Sequence, residues 1–418
     1  MSLISSLYSG LSGMTNYGNA MSVVGDNLAN TNTTGFKSSN VVFSDMLSAS
    51  TSGHQIGRGN QLAAVSVSQQ QGSFQSTQSS TDVAIEGSGY FVVHDNISRG
   101  TGTDYYTRSG NFTLNSAGYL VDSQENYVQG YTYTNGVRDA SFAALDLAGS
   151  QSAASATTSM SMGLNVDAGA SAGATFQSAF TAYNSLGENI TVSMNFVKQA
   201  TAGVWNYGVA SSNGTVSAAT ASGSIAFNSV GGLISATQPL VGGVAGATDP
   251  SISITGFPSG AADLTFPWDL FSGLGASNGD VTQYAAESSV TTITQDGYTA
   301  GSLSGLSVDI DGNLQGTFTN GQVQNLAQLT LADFASPWQL NRSGNSLWSE
   351  TAASGQAIIG VGNAGGNGSI VGSSLEMSTT DMATEFTNMI QFQRAYQSSS
   401  KIVTTTDQML QDAINLVR

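Results

Sequence analysis

Cysteine is absent from the 418 residues. That excludes disulfides, thiolate metal sites and cysteine nucleophiles, although it does not fix the compartment. Histidine occurs only as His54 and His94. A Ser-His-acid arrangement around either is formally open, but no G-x-S-x-G elbow accompanies them, so the chain is not expected to be an enzyme. Charge is scarce: 9% of residues, against about 25% in an ordinary domain. The ten Lys and Arg are scattered, and the net charge is −17. Nucleic-acid binding therefore has no electrostatic footprint, and an anionic membrane surface would repel the chain. No apolar run approaches the roughly 20 residues of a membrane span, so no membrane insertion is expected. The opening "MSLISSLYSGLSGM" lacks the basic n-region and sustained apolar core of a Sec signal peptide. If the protein leaves the cell, another route is expected.

Hydrophobic residues make up 40% of the chain and glycine 50 of its 418 positions. Ser, Thr, Ala, Asn and Gln fill the balance. Enough apolar matter is present to fold, and the length points to roughly two to four domains. A polar, weakly charged, turn-rich chain of this kind is expected to be mostly β.

The two ends are different. Leu7, Met14, Met21 and Leu28 stand seven apart, with Leu3, Leu11, Tyr17 and Val24 beside them, which predicts a helix with one apolar seam. Gly10, Gly13, Gly18 and Gly25 interrupt it, each costing about 0.5–1 kcal/mol relative to Ala, so a packing partner is expected. Met382, Met389, Tyr396, Val403, Leu410 and Val417 repeat the seven-residue spacing at the other end, flanked by Phe386, Ile390, Ala413 and Ile414. The second seam position there turns polar, at Gln393, Ser400 and Asp407. Ser378 and Asp381 form an S-x-x-D capping box before it. Two readings fit. The helices dock on the chain's own core, or they pair as a coiled coil and pack into other subunits. The second is favoured because residues 1–35 carry a single charge, Asp26, whereas a helix facing water normally shows a charged face.

Between the ends the chain reads as strands. "TDVAIEGSGYFVV" ends in a buried run, and "YTRSGNFTLNSAGYLV" is a hairpin turning through residues 115–118. From 146 to about 285 charges thin out, and Ile190, Val192, Met194 and Phe196 alternate, as do Ile252 and Ile254. That is the pattern of half-buried strands in a separate β domain. The character of 75–145 returns near 286, where Leu306, Val308 and Ile310 alternate into the Asp311–Gly312 turn. The expected fold class is multidomain α+β, with paired coiled-coil-like N- and C-terminal helices, a mostly-β shoulder and an inserted β domain. The expected parts are 1–30 with 376–418 (terminal helical), 31–74 (connecting), 75–145 with 286–375 (shoulder) and 146–285 (insert). No cofactor or metal is expected. "GVGNAG" at 360–365 is followed by "GNGSIVG" rather than a helix. "DIDG" fails the calcium-loop register, with Leu314 and Asn320 at its sixth and twelfth positions.

"NLANTNTTGFK" at 27–37 stops the first helix with five cap- and turn-favouring residues and a glycine. It resembles the signature of the bacterial flagellar rod and hook axial proteins, N-x-A-N-x-x-T-x-G-[FY]-[KR]. Asn27, Ala29, Asn30, Thr33, Gly35, Phe36 and Lys37 match; residue 34, often Pro in that family, is Thr. "TDVAIEGSGYF", "YTRSGNFTLNSAGYLV", "YNSLGENITVSMNF" and the stretch from "LEMSTTDMATEF" to "TTTDQML" are similar to the same family in the same order. The large middle insert and "DGNLQGTFTNGQVQNLAQLTLADF" favour the hook branch over the rod branch. The resemblance implies a homo-oligomeric helical tube, short and curved, that joins rod to filament in the extracellular flagellum. It implies export by the flagellar type III apparatus without a cleaved signal. Implied partners are the distal rod protein, the hook cap protein and the hook–filament junction proteins. It also implies that the abrupt stop lets the chain cross to another radius of the tube, with Phe36 as anchor. The rival readings are a distal rod or hook-associated protein and, in another class, a secreted β-rich adhesin.

Overall fold

Two α-helices bracket the chain, and between them the described regular elements are strands and one short 3-10 helix at Pro337–Gln339. The computed structural model describes residues 3–47, 57–98, 102–134, 136–238, 248–272 and 275–416. Val417 and His54 lie outside them. Helix α1 spans Leu3–Ala29 and helix α2 Met382–Leu416. By backbone contacts the chain divides into two compact units, 1–150 with 304–317 and 323–418, and 151–303 with 318–322.

The first unit holds both helices. They pack side by side in opposite directions: Asn27 near the end of α1 bonds Glu385 near the start of α2, and Gly10 lies against Val403. A long antiparallel hairpin, β1 (Ser39–Leu47) and β2 (Gly57–Val67), follows α1 and carries bulges at Val42/Phe43 and Asp45/Leu47. Its Phe43 joins Tyr17 of α1 and Phe392 of α2 in a three-ring cluster, with centroids 5.5, 6.2 and 6.0 Å apart. Aromatic pairs at these separations contribute beyond the area they bury, so the hairpin braces the helix pair.

The rest of the unit is a β body around Tyr90–His94, which is buried throughout. Strands alternate their side chains between faces, and here both faces are covered. Phe91 and Val93 enter a core with Ile85, Phe112, Leu120 and Leu329, while Tyr90 and Val92 enter a second with Tyr106, Phe334 and Trp348. Val323–Asp333 runs beside it, pairing with Tyr90–His94, Tyr127–Thr134 and Ile358–Val361. The expected hairpin is present, with Thr113 opposite Val121 and Leu114 opposite Leu120. The "DIDG" segment is a strand turn, in which the Asp309 carboxylate accepts from the backbone of Asp311 and Asn313.

In the second unit, five antiparallel strands form a meander: Thr175–Tyr183, Asn189–Lys198, Val204–Ser211, Ser222–Phe227 and Leu233–Thr237. Ile190, Val192, Met194 and Phe196 all point into one core, as their alternation requires. Trp268 stands edge-on to Phe196 and Tyr207 there, and burial pushes the Tyr207 phenol up to about 12. Residues 289–295, expected with the shoulder, pair instead with Met160–Asn165 in this unit. Thr and Ser dominate Ser289–Gln295, so its apolar signal is too thin to reveal its partner in the sequence. The four-part division expected from the sequence is finer than these two units.

Candidate functional site

The segment that stops α1 adds side-chain hydrogen bonds to its backbone ones. The last carbonyls of a helix lack intrahelical donors. Here Asn30 Nδ2 donates to the Asp26 carbonyl at 2.9 Å, and Thr31 Oγ1 to that of Leu28 at 2.7 Å. Thr33 Oγ1 then donates to Asn30 Oδ1. Gly35 takes φ +67°, and a Cβ there would lie 2.5 Å from the Ser109 nitrogen and 2.6 Å from the Arg108 carbonyl carbon. Its N–H donates to the Glu376 carbonyl at 2.8 Å. The turn is thus pinned between the Arg108–Ser109 stretch and the strand that precedes α2.

Lys37 completes this junction. Its Nζ lies 2.6 Å from Glu376 Oε1 and also donates to the Gln70 carbonyl, and both side chains are buried. Glu376 Oε1 accepts from Gly72 N as well, and Oε2 faces Arg108 Nη1 at 3.3 Å. Arg108 Nη2 reaches the Gly87 carbonyl, and its guanidinium lies over the Tyr90 ring. Burial pushes the Lys37 ammonium below its ordinary value, and the Glu376 charge opposes that shift. Buried ions cost several kcal/mol each to desolvate. Here one carboxylate lies between two cations, and the Gln70 and Gly87 carbonyls and the Gly72 N–H add backbone partners.

Phe36 sits beside this hub. The Arg342 guanidinium lies 5.1 Å from the Phe36 ring and 5.1 Å from the Trp348 ring. It donates to the Lys37 carbonyl and stands 3.7 Å from Asp26. Burial lowers its pKa, and Asp26 counters. These groups line a polar cleft of about 500 Å³. Asn27 is buried at the far side of the turn. Its Oδ1 accepts from Ser39 N, and its Nδ2 donates to the Ser39 carbonyl and to Glu385 Oε1. Of the signature residues, Asn27, Asn30, Thr33, Gly35, Phe36 and Lys37 thus meet at one junction, while Ala29 faces solvent.

The helix contact runs one residue away from the expected seam. Leu7, Met14, Met21 and Leu28 are half-buried, whereas Gly10, Gly13, Ala20, Val24 and Asn27 are buried. On α2 the buried positions are Glu385, Ser399 and Thr406; Met389, Val403 and Leu410 are half-buried, and Met382 and Tyr396 are exposed. The backbones approach through small residues: a Cβ on Gly13 would lie 2.6 Å from Ser399 Oγ, and one on Gly10 2.9 Å from Val403 Cγ2. Counting large apolar residues finds the flanks of such a contact and not its centre. The capping box is also displaced. Asp381 itself caps α2, accepting from Thr384 N at 2.7 Å, while Ser378 bonds Thr380.

Arg108 and Glu376 lie inside segments that resemble the family, but nothing there pairs them with Lys37, and Arg342 carries no mark at all. Lys37 and Glu376 are 339 residues apart, and no local pattern joins them. The available signal is their charge in a chain that has so little. Among the described residues no group of three or more His, Cys, Asp or Glu could hold a metal. No described helix is long and apolar enough to cross a membrane.

Four families match successive stretches of the chain. Residues 7–37 match "Flagella basal body rod protein" and 84–179 match "Flagellar hook protein FlgE/F/G D1 domain". Residues 151–298 match "Flagellar basal body protein FlaE D2 domain" and 371–416 match "Flagellar basal body rod FlgEFG protein C-terminal". Flagellar hook protein FlgE of Borreliella burgdorferi is 31% identical over 99% of this chain and 100% of its own length. That of Treponema pallidum is 31% identical over the whole of both chains, and that of Escherichia coli is 29% identical over 97% and 98%. Similarity of this extent, carried from α1 through both units to α2, means that the chain belongs to the flagellar hook protein FlgE family.

Proposed function

We propose that this chain is the structural subunit of a bacterial flagellar hook, self-assembling into a hollow, curved, flexible helical tube that transmits torque from rod to filament as a universal joint. Full-length family membership carries this reading. The helix pair supports it: Tyr8, Leu11, Met382, Phe386, Ile390, Ile402, Met409 and Ile414 are large, apolar and uncovered within the chain. Large contiguous apolar surfaces mark interaction sites, and further copies of the same helix pair are the occupants a homopolymer supplies. In this reading Leu7, Met14, Met21, Leu28, Met382, Met389, Tyr396, Val403 and Leu410 flank subunit contacts. The junction around Lys37 holds the crossing from the inner helices to the β body. The distal rod protein, hook cap and hook–filament junction proteins are the axial partners, and the type III apparatus delivers the chain to the extracellular hook without a cleaved signal. The protein is a scaffold and not a catalyst.

Electron microscopy of polymer grown from purified subunits tests the reading. Curved tubes are the expected result. Straight rigid tubes would favour a rod position, and absence of polymer would remove the self-assembly on which the reading depends.

A further inference from the structure

Five Asn–Gly steps occur in the chain, at 135, 213, 278, 320 and 367, and the structure treats the four it describes differently. Deamidation at such a step needs two free groups, the asparagine side-chain amide and the backbone nitrogen of the glycine. At Asn320 neither is free. Its Nδ2 donates to Ser152 Oγ and to the Thr299 carbonyl, its Oδ1 accepts from Gln322 N, and Gly321 N donates to the Phe318 carbonyl. At Asn367 the side chain donates to the Val361 carbonyl, and Gly368 N to that of Ser88. At Asn278 the side chain donates to Asp269 Oδ1 at 2.6 Å, and Gly279 N to Ser277 Oγ.

Asn213 differs. Among the described residues its side-chain amide has no hydrogen-bond partner, and Gly214 N has no acceptor. The backbone is held instead. Ser211 Oγ accepts from Asn213 N at 3.3 Å and donates to the Asn213 carbonyl at 2.6 Å. A hydroxyl donating to that carbonyl draws electron density from the Asn213–Gly214 peptide, making the Gly214 N–H more acidic. Gly214 takes φ +80°, and a Cβ there would press within 2.9 Å of Ile254 Cγ2 and Phe257 Cε1, so the position stays glycine and its nitrogen stays unhindered.

We infer that Asn213 is a self-modification site, losing its amide in the folded protein well ahead of the other described Asn–Gly steps. Gly214 N, giving up its proton, attacks Asn213 Cγ. The new C–N bond forms as the Cγ–Nδ2 bond breaks, and ammonia leaves with that proton. Water then adds across either C–N bond of the five-membered imide. One product is aspartate; the other is isoaspartate, whose main chain is one methylene longer. Each adds a negative charge to a turn of the second unit, just before the strand Thr215–Val216.

Full-length protein incubated at mildly alkaline pH, with digests followed by mass spectrometry, tests this. In the folded protein Asn213 should convert roughly tenfold or more faster than Asn320 and Asn367, the factor that two or three hydrogen bonds impose on a held amide. In urea the sites should converge. Equal rates in the folded protein would overturn the inference. So would an advantage of Asn213 that persists unchanged in urea, because local sequence and not structure would then set the rate.

Discussion

Gly35 and Lys37 show how much of the junction depends on single atoms. A non-glycine residue held at φ > 0 costs about 1–3 kcal/mol, and Gly35→Ala would also drive a methyl into the Arg108–Ser109 backbone. This variant should unfold at clearly lower urea than the parent protein. Lys37→Met leaves Glu376 buried with one cation fewer. Breaking a buried pair from one side costs about 3–5 kcal/mol, which a thermal melt of the β body would register. Asp381 offers a test by pH. Hydrogen bonds from Thr384 hold its carboxyl below the usual 3.8. The folded value is the depressed one, so its contribution is complete above 3.8 and fades as pH falls through the lower folded value. The helicity gap between the parent protein and Asp381→Ala should be constant near neutrality and narrow below that point. Gly35 and Lys37 are legible in the sequence as part of a motif. Arg108 and Glu376 also lie in family-like segments, but their pairing with Lys37 is not legible, because hydrogen bonds across 268 and 339 residues leave no periodic trace.

Among the elements, α1 separates its four glycines into two pairs. Gly10 and Gly13 lie against α2, whereas nothing approaches within 4 Å of a Cβ on Gly18 or Gly25. Gly18→Ala and Gly25→Ala should therefore each stabilise the isolated subunit by about 0.5–1 kcal/mol. Gly10→Ala and Gly13→Ala should loosen the helix pair. If Gly18→Ala also blocks tube growth while raising the melting temperature, a neighbouring copy approaches that face. Helix existence is plain from the seven-residue spacing, and the hairpin and the alternating strand at 189–198 are equally plain. The contact line is not, because hydrophobicity counts reward bulk and this interface is centred on residues that lack it. Leu410→Asp and Met21→Asp probe the flanks. Each should abolish polymerisation and leave the melting of the β body unchanged, and an equal loss of core stability would make these ordinary core positions.

For the whole molecule, the second unit has its own aromatic core and few charges to lock a register with neighbours. In the proposed tube, weak, polar contacts between second units would allow bending while the helices stay joined, since tightly packed apolar contacts are bistable. Deleting 151–303 with a short Gly/Ser closure should leave tubes that form but are straight or altered in stiffness under the microscope. Loss of all polymer with a folded first unit would make the second unit a primary assembly contact. The antiparallel pairing of α1 with α2 has a further effect, one on timing. The bond between Asn27 and Glu385 spans 358 residues. A chain made from its N-terminus at about 5–20 residues per second presents α1 roughly 20–70 s before the partner it needs. With glycine at the centre of its contact line, α1 draws on packing more than on its own propensity. During that interval it lacks this contact, and the last helix to arrive completes the pair.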